Sequence, residues 1–384
     1  MKHIPILIKL ALPLLLTACG GGGTSTTDVG VTSAAWTWSL PPNFPVPSVP
    51  ADNPMSEAKF QLGRLLFYDK KLSGDGTFAC ASCHLQILAF TDGKTVSTGA
   101  TGQQTSRNAP SIVNSAYHAT LTWVHPQLFS LEAQMETPLF AIDPIEMGVN
   151  DSNRAIVLQR FENDADYRQR FSEAFPDATT PITFSNAIKA IAAFQRALLT
   201  GGSKFERYQR GEASLNAAEE RGRLLFNSEK AECFHCHGSF NFNDQVNFLG
   251  ARPTENLFHN TGLYNIGGTG AFPANNRGLI EFTGVASDMG LFRAPSLFNV
   301  GVTAPYMHDG SIATLEEVLD FYADGGRNIT SGPHAGDGRL NPFKSDLIAL
   351  IDLNEQEKAD IITFLKTLTD DSLLTNARFS NPHP

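Results

Sequence analysis

Cys80-Ala81-Ser82-Cys83-His84 and Cys233-Phe234-His235-Cys236-His237 are the two stretches on which the reading of this chain turns. Each sets two thiols one helical turn apart with an imidazole directly after. That is the geometry for two thioether bonds to one porphyrin and an axial nitrogen on its iron. A zinc knuckle or a thioredoxin-like thiol pair is the alternative. A redox pair does not need the adjacent histidine, and a zinc site needs another complete ligand pair nearby, so two such units in one chain read as two covalently bound haem c groups. Apart from Cys19, every cysteine falls into these units, which leaves none for a structural disulfide.

The flanking sequence repeats too. Gly63-Arg64-Leu65-Leu66-Phe67 precedes the first unit and Gly222-Arg223-Leu224-Leu225-Phe226 the second, each at the end of a predicted amphipathic helix. Those helices carry start signals, Asn53-Pro54 in one and the Asn216/Glu219 pair in the other. The expected fold is mostly α: two cytochrome c-like haem domains related by internal duplication, at residues 51–210 and 211–370, with long loops and a C-terminal tail at 371–384. Further helices are expected over residues 185–199, from the Thr314/Glu317 cap to about Ala323, and from the Asn354/Glu357 cap with Ile361, Ile362, Leu365 and Leu368 inward. Long Gly/Pro/Asn-rich loops at 91–111, 240–304 and 324–345 are of the kind that line a cofactor or a binding face.

Residues 1–18 read as a secretion signal, with Lys2 and Lys9 before an apolar run too short to span a bilayer. Leu16-Thr17-Ala18-Cys19 resembles a bacterial lipobox, which implies cleavage before Cys19, acylation of that cysteine and membrane contact through the lipid alone. A plain signal peptide with a chance cysteine is the alternative. Gly20 in place of Asp points to the inner leaflet of a Gram-negative outer membrane, facing the periplasm. Residues 19–50 are expected to be anchor and tether, because the Gly- and Ser/Thr-rich part cannot bury a core. A net charge of −10 without a Lys/Arg run argues against nucleic acid and suits a neutral or cationic protein partner.

Further motifs carry a family resemblance. Leu72-Ser73-Gly74-Asp75-Gly76-Thr77, Arg107-Asn108-Ala109-Pro110-Ser111, Leu131-Glu132-Ala133-Gln134, Pro144-Ile145-Glu146-Met147-Gly148 and Ala304-Pro305-Tyr306-Met307-His308-Asp309-Gly310 stand in that order. Over about residues 51–370 the chain resembles the bacterial di-haem cytochrome c peroxidase and MauG superfamily. The opening Trp38-Ser39-Leu40-Pro41-Pro42-Asn43-Phe44-Pro45-Val46-Pro47 is similar to the MbnH family, whose di-haem enzymes oxidise a tryptophan on the copper-binding protein MbnP to kynurenine.

The resemblance implies roles. Ordinary peroxidases of the superfamily carry a capping histidine in the loop that here runs over residues 91–106, which holds neither His nor Met. The iron bound by His84 is therefore expected to have an open position for hydrogen peroxide. Glu146 matches the distal acid–base residue, Gln134 the group that orients peroxide, and Pro138 part of the pocket wall. Trp123 matches the indole between the haems; by itself it would read as a core residue. His237 and Tyr322 are the expected axial ligands of the second iron. Spacing alone makes Tyr322 a core tyrosine, and Met307 is a rival ligand. Asn108, with the carbonyls of Thr303 and Pro305, matches a Ca2+ site.

The reading favoured at this point is a peroxide-dependent enzyme that reaches a high-valent di-iron state and oxidises a side chain on a periplasmic copper-binding partner. A conventional peroxidase fed by a small cytochrome or cupredoxin is the first alternative. A non-enzymatic electron carrier is the second.

Overall fold

The repeated Gly-Arg-Leu-Leu-Phe segments each place a glycine where two helices cross too closely for a side chain. In the computed structural model, which describes residues 36–253, 255 and 257–383, the helix Glu57–Tyr68 crosses Phe184–Arg196 at Gly63. The helix Ala217–Phe226 crosses Glu355–Lys366 at Gly222. A Cβ on Gly63 would lie 1.9 Å from the Ala190 carbonyl oxygen, and one on Gly222 would lie 1.9 Å from that of Asp360. The same crossing is built twice.

Each crossing anchors an aromatic-rich core. Phe60, Leu66, Phe67, Ile191 and Phe194 are fully buried in the first, and Phe226, Phe242, Ile361, Phe364 and Leu368 fill the second. A third cluster joins Val124 to Tyr264, Phe272, Phe292 and Phe321. The described residues are mostly helical, with one two-stranded antiparallel sheet among them, Asn328–Ile329 against Gly336–Asp337. None of the described helices is long and apolar enough to cross a membrane.

The duplication extends to a buried asparagine in each half. Asn114 and Asn299 are wholly enclosed and left-handed, with φ of 57° and 62°. Each backbone N–H donates to the end of a crossing helix or just beyond it, Leu198 and Leu368. Each Oδ1 then accepts from the backbone two residues later, Thr200 at 3.0 Å and Asp370 at 2.8 Å. Asparagine tolerates this backbone conformation better than most residues.

Several expected boundaries move. Asn53-Pro54 does not start the first helix: the N-cap is Ser56, and buried Asn53 donates to Glu132 Oε1 and the Lys189 carbonyl. The helix expected over 185–199 is Phe184–Arg196, capped by Thr183. The Thr314/Glu317, Asn216/Glu219 and Asn354/Glu357 pairs all form capping boxes. Cys19 and its lipobox lie outside the described residues. Residues 36–50, expected within a tether, are packed instead, with Trp36 against the first core, Phe44 against the second, and the Pro45 carbonyl accepting from Tyr117 at 2.7 Å. The segment expected as a tail contributes Leu373 and Phe379 to the first core. In both places large apolar side chains outweigh local Pro, Asn and Ser composition.

Gly63→Ala and Gly222→Ala are each expected to destabilise the protein by about 1–3 kcal/mol, the usual range for overpacking a tight contact. Denaturant unfolding followed by far-UV circular dichroism measures this, and wild-type midpoints would show that the helices can part at no cost.

Candidate active site

The two C-x-x-C-H histidines are oriented by the same device. His84 Nδ1 donates to the Phe90 carbonyl at 2.7 Å, and His237 Nδ1 to the Phe242 carbonyl at 2.8 Å. Both phenylalanines adopt left-handed backbone, φ 61° and 50°, which turns their carbonyls toward the rings. With Nδ1 committed, Nε2 is the nitrogen left to ligate. Burial holds both imidazoles below their ordinary pKa, which favours the neutral, ligating form.

Cys80, Cys83 and His84 open onto a cavity of about 310 Å³. Gln134 and Pro138 reach it from the helix Leu131–Phe140, which sequence periodicity did not reveal and which Ser130 caps. Glu146 enters from the following loop, and Trp123 forms another part of the wall. The four residues expected to serve peroxide chemistry thus converge on one cavity. Burial pushes the Glu146 carboxyl above the usual carboxylate range. The 91–106 loop supplies Ser97, Gly99, Thr105 and Ser106 to the lining. The imidazole and thioether groups other than His84 that do line it, His118, His125, Met135 and Met147, come from other segments.

Cys233, Cys236 and His237 open onto a second cavity of about 230 Å³. Tyr322, on the helix Leu315–Ala323, and Met307 both line it, as do Asn108, Thr303 and Pro305. Burial pushes the Tyr322 phenol well above its ordinary value. The Asn108 amide nitrogen donates to the Lys94 carbonyl at 2.7 Å, so its Oδ1 is the end left for a cation.

Trp123, His118 and Arg293 line both cavities. The indole Nε1 donates to the Asn108 carbonyl at 2.8 Å, and the Trp123 carbonyl accepts from Arg293 N at 2.9 Å. Arg293 is only 3% exposed and has no ion-pair partner among the described residues. Burial lowers its pKa to about 10. His118 Nε2 is likewise enclosed and without a hydrogen-bond partner. A buried guanidinium with no carboxylate in contact is costly, and Asp244 acts on it only from beyond ion-pair distance, so the carboxylates of a porphyrin would complete it and the residues present fit haem. Sequence reading missed both residues. A signal existed: Ala109-Pro110-Ser111 followed by Asn114 recurs as Ala294-Pro295-Ser296 followed by Asn299, with Arg293 where the first copy has Asn108.

Comparison with known proteins agrees with this geometry. The profile of the family described as di-haem cytochrome c peroxidase matches residues 57–214. The cytochrome-c peroxidase IdrP1 of Denitromonas iodatirespirans is 36% identical over 88% of this chain and 89% of its own length. The methylamine utilization protein MauG of Methylorubrum extorquens is 31% identical over 95% of each. This chain belongs to the di-haem cytochrome c peroxidase and MauG family. As a member it is a peroxide-dependent oxidoreductase with two c-type haems, and it works with a redox partner. Within the family, the crystal structure of a MauG-like protein associated with microbial copper homeostasis is 60% identical, with a TM-score of 0.89 over 91% of this chain and 99% of that one. The di-haem peroxidase BthA of Burkholderia thailandensis, 21% identical with a TM-score of 0.65 over 85% of this chain and 90% of that one, shares the fold.

Arg293→Gln is expected to cost the holoprotein roughly 3–5 kcal/mol, the usual loss when one partner of a buried charge pair is removed. It should also lower the reduction potential of at least one haem in a spectroelectrochemical titration. Unchanged potentials at both centres would place the porphyrin carboxylates elsewhere.

Proposed function

We propose that this enzyme consumes hydrogen peroxide at the His84 haem and draws the resulting oxidising equivalents from a side chain on a docked protein. The substrate is a tryptophan on an MbnP-like copper-binding partner, converted over two peroxide turnovers to N-formylkynurenine and then to kynurenine, with the indole C2 carbon released as formate. The carrying observation is the convergence of Glu146, Gln134 and Pro138 on the His84 cavity, with no imidazole or thioether from the 91–106 loop. The copper-homeostasis association of the 60% identical structure supports the choice of partner.

When bound, the haem supplies an iron that accepts peroxide and is oxidised as the O–O bond breaks. Glu146 takes the proton from the inner peroxide oxygen and delivers it to the outer one, so that water can leave. A carboxyl whose pKa is raised by burial is suited to holding and returning that proton. The Gln134 amide orients the peroxide, and Pro138 walls the pocket without adding a backbone donor. Trp123, which borders both cavities, is placed to carry oxidising equivalents between two bound haems. Tyr322 would ligate the second haem's iron through its phenol oxygen, a hard donor that disfavours the reduced state; Met307 is the other candidate on the same wall. Asn108 with the Thr303 and Pro305 carbonyls would hold Ca2+ beside the second cavity. Acylation at Cys19 would keep the enzyme on the periplasmic side of the outer membrane, where a secreted partner meets it.

Glu146→Gln is expected to slow the reaction with peroxide by 10²- to 10⁴-fold in stopped-flow spectra, the usual contribution of a positioned acid–base group. Trp123→Phe should leave that first step near wild type but abolish the near-infrared charge-resonance band that reports sharing between the two centres. With peroxide and a copper-binding partner, mass spectrometry should locate kynurenine at a partner tryptophan. Steady turnover with a small cytochrome or cupredoxin, and no modified tryptophan, would instead establish a conventional peroxidase.

A further inference from the structure

We propose that Glu229, Glu232 and His235 form a surface site for one divalent transition-metal ion of the zinc or copper(II) class, beside the cysteines that hold the second haem. The donor atoms of all three lie within 4.8 Å of one another. His235 Nε2 stands 2.9 Å from Glu232 Oε2 and 3.4 Å from Glu229 Oε2. With metal–ligand bonds of about 2.0–2.2 Å, the edge of a tetrahedral site is about 3.4 Å. The three groups are already close to the spacing that a metal ion would impose.

A second observation separates this cluster from ordinary surface acids. Glu232 is 7% exposed, and its Oε2 is enclosed and receives no hydrogen bond. The imidazole nitrogen 2.9 Å away is aligned with Glu229 instead. A buried, unpartnered carboxylate oxygen is costly, and a cation is the partner that would compensate it. No Lys or Arg among the described residues supplies it: Lys230 reaches away to Glu357, and only the His235 imidazole lies against Glu229 and Glu232. The Phe234 ring lies 4.1 Å from that of His235, centroid to centroid, and limits its rotation.

The donor set selects the ion. One imidazole and two carboxylates suit Zn2+ or Cu2+, whereas Ca2+ and Mg2+ prefer all-oxygen shells and Cu+ prefers sulfur. Three protein ligands leave a fourth position for water or for a donor from a docked protein. His235 sits between Cys233 and Cys236, so the added positive charge should also raise the potential of the second haem. The site requires nothing of the peroxide chemistry.

The test uses the holoprotein, stripped with a chelator and returned to calcium-containing buffer. Titration with Cu2+ should yield one tight equivalent whose electron paramagnetic resonance spectrum is axial with one coupled nitrogen. Titration with Zn2+, followed by calorimetry, should give the same stoichiometry and raise the potential of one haem. Glu229→Gln and His235→Gln, both at exposed positions, should each weaken binding at least tenfold and abolish the potential shift. Haem content from the pyridine haemochrome spectrum confirms that these variants have matured. Absence of a tight equivalent, or an affinity that neither substitution changes, overturns the site. Loss of metal binding with intact peroxide turnover separates it from the proposed function.

Discussion

A guanidinium enclosed between two cavities, with no carboxylate in ion-pair contact among the described residues, is the constraint that gives the rest of this molecule its sense. Arg293 donates to the Thr122 carbonyl and, through its backbone, to the Trp123 carbonyl. The positive charge, the indole and the junction between the two cavities are therefore one rigid object. Desolvating a cation is tolerable only when an anion compensates it, and the carboxylates of a bound porphyrin would supply that compensation. The wall between the centres is built to be completed by its cofactors.

Duplication explains how such a wall arises. Each half repeats the glycine crossing, the left-handed phenylalanine that steers an imidazole, and the buried asparagine that stitches a loop to a helix end. The copies differ where chemistry differs. Asn108 in one becomes Arg293 in the other. The first cavity acquires Glu146 and Gln134 from a segment that has no role at the second, whose helix Leu315–Ala323 brings Tyr322. Identical scaffolding holds both groups, and unequal linings assign the tasks.

Much of this was legible in the sequence because covalent attachment and capping are local. Cys80, Cys83, His84 and their counterparts are fixed by spacing, and the capping boxes at Asn216, Thr314 and Asn354 announce their helices within four residues. Glu146, Gln134 and Trp123 were legible only through ordered resemblance, since nothing in their neighbourhoods states that they will meet. His118 and Arg293 escaped because their significance is a missing partner, which no linear pattern records. The packing of residues 36–50 escaped for a related reason: Trp36 and Phe44 find their surfaces on segments far away in sequence.

The ends of the chain are laced into the cores of both halves. Phe379 and Leu373 fill the first core after the chain has finished building the second, and the opening segment touches both. Each core thus includes side chains from outside its own run of helices. The spacing of the two haem cavities is thereby fixed by side chains that the ends of the fold lend to its cores, and two bound haems would inherit that spacing.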